Sequence, residues 1–268
     1  MSALPCDYHI HLPFCGHATH GIDDYVSAAR SLGIPEMAFT DHAPAPDGYD
    51  ASNRMRLSGA PSYQALVGMY QYTSTPNVIL GIEADYYEGG TGFLRGWLPN
   101  QPFDIVLGSV HYIDNWPFDH PAQMAAWSSV DVRSVWRTYF GLIAKLADTR
   151  LFDVVAHLDL PKKFGHFLNE RDLVTFAAPA LDRVAAAGMA IEINTSGLRR
   201  QCREPYPSAA LLELARARGI PVVFGSDAHT PTDVGSGFQQ AVALARQAGY
   251  THYSRFFGRR QTPTPLPS

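Results

Sequence analysis

The chain has 268 residues, is 46% hydrophobic and carries 21 basic against 25 acidic side chains, a net charge of −4. That length can bury a full core in one barrel-sized unit, and the charge balance excludes the overall basic field that non-specific nucleic-acid binding needs. Three cysteines without C-x-x-C spacing fit a reducing compartment, and no apolar run reaches the ~18 residues of a membrane span, so a soluble cytoplasmic protein is expected.

The first predicted strand runs into Asp7-Tyr8-His9-Ile10-His11. Side chains alternate along a strand, so His9 and His11 share a face and can hold one divalent ion; a hydrogen-bonded pair of strand histidines would look the same. His17 follows across a turn containing Pro13 and Gly16. Ile22, Tyr25, Val26, Ala29 and Leu32 recur at helical spacing, with Asp23 and Asp24 in the first turn and Gly33 then Pro35 as a stop. Residues 36–40 form the next strand, ending in Asp41-His42. Residues 43–61 are a long polar excursion, either a lid or plain surface.

A helix over 62–73 leads to the strand 77–85, which carries Glu83 and ends on Asp85. The strand 103–110 closes on His111, a long amphipathic helix spans 130–148, and the strand 151–156 closes on His157. Residues 189–193 bring Glu192 and Asn194; after a helix over 208–218, the strand 222–225 finishes in Ser226-Asp227-Ala228-His229. Seven strands separated mostly by helices imply parallel strands with right-handed crossovers. Because nearly every strand ends in a chemically useful side chain, a closed barrel fits better than an open sheet with one switch point. The run from Gly33-Ile34-Pro35 to Asp41-His42 echoes that from Gly219-Ile220-Pro221 to Asp227-Ala228-His229, as repeated barrel units would. A helix over 232–249 and the aromatic segment 252–257 are expected to close the barrel, so that residues 1–258 form one domain and 259–268 a loose tail.

The strand ends thus offer His9, His11, His17, His42, Glu83, His111, His157, Asp227 and His229. Each would need its own partner if no metal were present, at ~1–3 kcal/mol per unpaired buried group. Asp41, facing away from His42, is expected to be a surface residue or to orient a ligand from behind.

With these motifs the sequence resembles the PHP (polymerase and histidinol phosphatase) superfamily, in its histidinol-phosphate phosphatase branch, over nearly the whole chain. The resemblance implies a distorted (β/α)7 TIM-like barrel with three divalent ions at the carboxyl ends of its strands; mixed nitrogen and oxygen ligands suit zinc, iron or manganese. It implies His9, His11, Glu83 and Asp227 around the first ion, Glu83, His111 and His157 around the second, and His17, His42 and His229 around the third. It further implies phosphate contacts from the stretch 192–199, chiefly Arg199, and a second cation after the His157 strand, where Lys162 and Lys163 stand in place of an arginine; these lysines and Arg200 could equally be surface charge. The reaction implied is hydrolysis of L-histidinol phosphate, a step of histidine biosynthesis, by a hydroxide bridging two ions, with Glu83, Asp227, His229 and Arg199 as catalytic groups and Asp227, His229 or a metal-bound water protonating the leaving alcohol. Cys15 could add a thiolate or simply be buried. Asp85, Asp159 and Glu192 are candidates to meet the substrate's ammonium. The partner is therefore a small phosphate monoester, not nucleic acid or membrane. Competing readings are another PHP-type phosphoesterase, an amidohydrolase-like barrel, which would leave His17, His42 and Glu83 unexplained, and a non-catalytic metal-dependent interaction module.

Overall fold

The computed structural model describes residues 4–71 and 75–267. Seven parallel strands lie side by side in chain order: β1 Asp7–Ile10, β2 Glu36–Phe39, β3 Asn77–Asp85, β4 Ile105–Ser109, β5 Val154–Val155, β6 Ala190–Asn194 and β7 Val222–Gly225. Helices α1 Ile22–Leu32, α2 Ala60–Gly68, α3 Thr91–Trp97, α4 Val132–Thr149, α5 Glu170–Ala187, α6 Ala209–Arg216 and α7 Phe238–Gln247 follow the strands in turn. This is the expected distorted (β/α)7 barrel. The strands are buried on both faces, which is why they read as near-continuous apolar runs.

The ring does not close by a regular ladder. Between β1 and β7 a single bridge, Ile10 to Ala228, is reinforced by His11 N–H donating to the Ala228 carbonyl at 2.9 Å. Ala228 N also donates to the His9 carbonyl at 3.2 Å, and the Asp7 carboxylate adds to the seam, accepting from Ser226 N at 2.9 Å and Gly235 N at 3.0 Å. A side chain thus supplements the main-chain bonds at the seam, next to the ends that carry His9, His11 and Asp227.

Local chemistry sets the helix limits. Asp131 accepts from the N–H groups of Arg133 and Ser134 to start α4, Asn169 from Asp172 N to start α5, and Gly33, at φ 69°, ends α1. α2 ends at Gly68 and not at residue 73, which lies outside the described residues. α7 begins at Phe238, later than expected, because Gly235 and Gly237 take left-handed φ values just before it. The sequence reading assigns no element to α3 or α5.

The C-terminal expectation is corrected. Residues 252–257 do not close the barrel, and most of the segment expected to be a loose tail is a strand: β8 His252–Phe257 pairs antiparallel with β9 Arg260–Pro265, while residue 268 lies outside the described residues. The hairpin caps the amino-terminal end of the barrel through Tyr253 OH on Cys6 Sγ at 3.3 Å, Phe256 N on Tyr8 OH at 3.4 Å, Arg255 on Glu36 and Gly258 N on Asp104 Oδ1 at 3.0 Å. No helix among the described residues is long and apolar enough to cross a membrane.

Candidate metal centre

The nine side chains from the strand ends meet at one mouth. His9 and His11 project from the same face of β1 with ring centroids 5.0 Å apart, as the alternation predicts. The turn after β1 is held by buried Asp41, which accepts from Leu12 N at 2.9 Å and Cys15 N at 3.1 Å. Asp41 is thus the orienter that parity suggests, and the turn it fixes carries His17 over the strand end. Cys15 lies beneath, buried, its thiol donating to the Leu12 carbonyl at 3.2 Å; its Sγ is also within 4.8 Å of a ligand nitrogen of both His11 and His229. Burial and the nearby Asp41 push that thiol up to about 12, which disfavours the thiolate.

Glu83 is the hub. Its Oε2 lies 3.2 Å from His9 Nε2, 3.5 Å from His11 Nε2 and 3.0 Å from His42 Nδ1, while Oε1 lies 3.1 Å from His157 Nε2 and 3.6 Å from His111 Nε2. Asp227 Oδ1 lies 3.5 Å from His11 Nε2 and 3.8 Å from His9 Nε2. His157 and Asp227 hold φ values of 27° and 53°, so both side chains reach the cluster from backbone conformations that side-chain-bearing residues seldom adopt. At Gly225 any Cβ would overlap Glu192 Oε1 and come within 2.6 Å of His9 Cβ, so only glycine fits between β7 and the cluster.

The outer nitrogens are fixed from behind. His9 Nδ1 is 2.8 Å from Glu192 Oε1, and Glu192 Oε2 accepts from His157 N and Asn194 Nδ2. His111 Nδ1 is 3.0 Å from both oxygens of Asp85, which also accepts from Ser109 Oγ and Tyr49 OH and pairs with Arg54 at 2.6 Å. His17 Nδ1 donates to the Cys15 carbonyl and His229 Nδ1 to the Asp227 carbonyl, each at 3.1 Å. Carboxylates and carbonyls behind metal-binding imidazoles set the tautomer in this way, leaving Nε2 bare toward the centre.

That arrangement is where a cation is required. His17 Nε2 and His229 Nε2 lie 2.8 Å apart, and each ring already spends its proton on a carbonyl. Burial, reinforced by His17 and His42 and opposed by Asp227, pulls the His229 imidazole down to about 4, and burial with His42 also lowers His17. Two neutral rings therefore aim lone pairs at each other, an arrangement that a shared cation stabilises. His11 is fully buried with no hydrogen bond at either ring nitrogen, and burial, with His229 stacked beside it, holds its value well below the ordinary one. Burial would raise Glu83 and Asp227, but the surrounding imidazoles together, His42 then His9 at Glu83 and His9 then His11 at Asp227, outweigh it and hold both carboxyls well below the ordinary range. At His9 and His111 the opposite holds: against burial, Glu192 and Asp85 respectively raise the imidazole, His111 to about 10, so a proton competes with an ion there. The donor set of imidazoles and carboxylates fits divalent metal binding.

Above the cluster opens a cavity of about 370 Å³. Two expected cations are not on it. Lys162 is buried and holds Asp159 at 2.9 Å, Glu204 at 2.8 Å and the Pro205 carbonyl at 2.7 Å. Arg199 instead braces the end of β7, donating to the Ser226 carbonyl at 2.8 Å and pairing with Asp233 at 3.4 Å. Lys163 and Arg200, their neighbours, do line the cavity. Asp85, Asp159 and Glu192 are all committed to internal partners and are not free to meet a substrate ammonium. Residues the sequence reading passes over also line the wall, among them Asp50, Tyr112, Asp119 and His120. The excursion 43–61 is a latched wall: buried Arg54 on Asp85, Tyr49 stacked on Tyr87 at 3.8 Å and Tyr87 OH on Asp47 hold it to the rim.

Comparison with known proteins agrees with this fold. Residues 7–196 match the PHP domain family and residues 211–243 the PHP-associated family. A probable histidinol-phosphatase of Deinococcus radiodurans is 43% identical over 246 residues, covering 91% of this chain and 94% of the relative. The histidinol-phosphatase of Bacillus subtilis is 27% identical, covering 87% and 96%. In fold, the chain is similar to the histidinol phosphate phosphatase of Lactococcus lactis, solved with zinc, L-histidinol and phosphate, at TM-score 0.84 and 20% identity, covering 97% of this chain and 100% of that one. A barrel whose strand ends converge on Glu83, matched over residues 7–196, settles the family: the chain belongs to the PHP domain family.

Proposed function

We propose that this chain is a metal-dependent phosphomonoesterase that hydrolyses L-histidinol phosphate to L-histidinol and phosphate, a histidinol-phosphatase. The observation that carries the chemistry is the convergence of five imidazoles on Glu83, under a small cavity walled by Lys163 and Arg200. The substrate is supported by the 43% identical relative, named as a probable histidinol-phosphatase. Three ions are proposed: one among His9, His11, Glu83 and Asp227, a second among Glu83, His111 and His157, a third among His17, His42 and His229. His42 Nδ1 also lies 3.0 Å from Glu83, so it stands between the second and third groups. Zinc, the ion of the Lactococcus lactis structure, and iron or manganese all suit the donor set.

When bound, such ions supply Lewis acidity and water acidified toward neutral pH. The chain does the rest. Glu83, shared between groups, sets their spacing, and Asp227, fixed by Ser196 Oγ at 3.0 Å and by the Arg199-braced main chain, holds its oxygen toward His11. Lys163, one of the two lysines expected, and Arg200, in place of Arg199, are the cations for the phosphoryl oxygens, where fixed positive charge is worth most as the ester bond breaks. The walls and volume suit a small monoester. Metal-replete protein should release phosphate from L-histidinol phosphate at least a hundredfold faster, in kcat/KM, than from AMP or bis(4-nitrophenyl) phosphate; equal, slow turnover of all three would overturn the substrate assignment.

A further inference from the structure

Among the described residues four carboxylates line the cavity: Asp50, Glu83, Asp119 and Asp227. Glu83 and Asp227 face the imidazoles. Asp50 is spent, accepting from Asn53 Nδ2 at 2.8 Å and Tyr112 OH at 3.0 Å on one oxygen and facing Arg54 at 3.5 Å with the other. Asp119 differs: its one hydrogen bond among the described residues is from Lys163 Nζ, at 2.9 Å to Oδ2, and its Oδ1 accepts none. Burial would raise this carboxyl, but the charge of Lys163, then of His111, outweighs it and keeps Asp119 ionised.

A half-buried ion pair inside a cavity is a constraint on what may enter. The side chains of Lys163 and Asp119 are 14% and 16% exposed, so separating them is unfavourable unless each charge finds a new partner. A phosphate ester with an uncharged tail supplies only half of this: it takes the lysine and leaves the carboxylate unpaired beside an anion. A ligand bearing phosphate and ammonium supplies both. We propose, on the reading of this site given above, that the Asp119–Lys163 pair is a charge-matched seat for a zwitterion, in which Lys163 turns to the phosphate and Asp119 takes the ammonium. The site then selects amino-alcohol phosphates over phosphate esters with neutral tails, and Asp119 is the specificity-determining residue.

The test compares L-histidinol phosphate with its des-amino analogue, 3-(imidazol-4-yl)propyl phosphate, on metal-replete wild type, Asp119→Asn and Asp119→Glu. Wild type should favour the amine-bearing ester by about thirtyfold or more in kcat/KM, as breaking a desolvated charge contact does. Asp119→Asn should bring the two esters to within a few-fold, by loss on the amine-bearing one, and Asp119→Glu should restore part of the preference. An equal loss on both esters would show that Asp119 only fixes Lys163 and would overturn the proposal, as would a preference that survives in Asp119→Asn. Calorimetric binding of L-histidinol and 3-(imidazol-4-yl)propanol to metal-replete wild type saturated with inorganic phosphate, which gives Lys163 its anion, needs no variant and no turnover. Tighter binding of L-histidinol with neither ester hydrolysed would support the seat and remove the phosphatase reading; equal binding of the two alcohols would remove the seat whatever the activity.

Discussion

At His111 a single carboxylate decides which nitrogen faces the cavity. Asp85 holds Nδ1 with both oxygens, and Arg54, arriving from the excursion 43–61, pairs with Asp85 in a place where the two side chains are 3% and 0% exposed. Two expectations follow from the two partners. Asp85→Asn keeps the shape but loses the carboxylate behind His111, so metal affinity, measured by chelator competition, should fall on the order of ten- to hundredfold. Arg54→Met leaves a buried carboxylate without its main counter-charge and should lower the unfolding free energy in urea by about 3 kcal/mol or more. A loss below about 1 kcal/mol would show that Ser109, Tyr49 and His111 satisfy Asp85 unaided. None of this was legible beforehand. Asp85 sits two residues after Glu83 on the same strand face, so the sequence offers it to the substrate; only the folded excursion shows that Arg54 has taken it.

Among the elements, the barrel strands were legible and the hairpin was not, for one physical reason. A strand buried on both faces writes its apolar run into consecutive residues, whereas β9, Arg260–Pro265, is largely exposed and contains Pro263 and Pro265. Prolines are tolerated on an edge strand, where no ladder donor is needed, so composition alone reads the segment as a tail. Its partner β8 buries Tyr253 and Phe256 under the barrel. A chain truncated after residue 251 should therefore lose about 3–6 kcal/mol of stability, the transfer of two aromatic side chains from core to water. Cys6 gives an independent readout. Burial, with Glu36 beside it, pushes its thiol up to about 11, and Tyr253 covers it. In the full chain at pH 8 it should resist Ellman's reagent, and in the truncated chain it should react; a Cys6 equally inert in both would mean that the barrel end is sealed without the hairpin.

For the molecule as a whole, sheet order equals chain order, and that is why a list of strand ends read from the sequence became a ring of imidazoles and carboxylates in space. The same reading took both Lys162 and Lys163, of which Lys163 lines the cavity, and preferred Arg199 to Arg200, of which Arg200 lines it. Each pair lies in or at the end of a tight helical turn, Leu160–Phe164 and Thr195–Arg199. About three residues per turn separate neighbours by roughly 120°, so one residue of offset moves a cation from the cavity to the interior. The ring itself makes the final prediction. The proposed grouping of eight side chains around a shared Glu83 implies that loss of ions is unequal: metal-replete wild type should carry three per chain by plasma mass spectrometry, His17→Ala should carry two, and Glu83→Gln, which removes the carboxylate common to two groups, should carry one. Because ions bind the folded state only, stripping them should also lower the melting temperature, each ion at a thousandfold its dissociation constant contributing about 4 kcal/mol. Three ions retained by Glu83→Gln would break the proposed grouping, since the remaining imidazoles would then hold the metals without the carboxylate on which five of them converge.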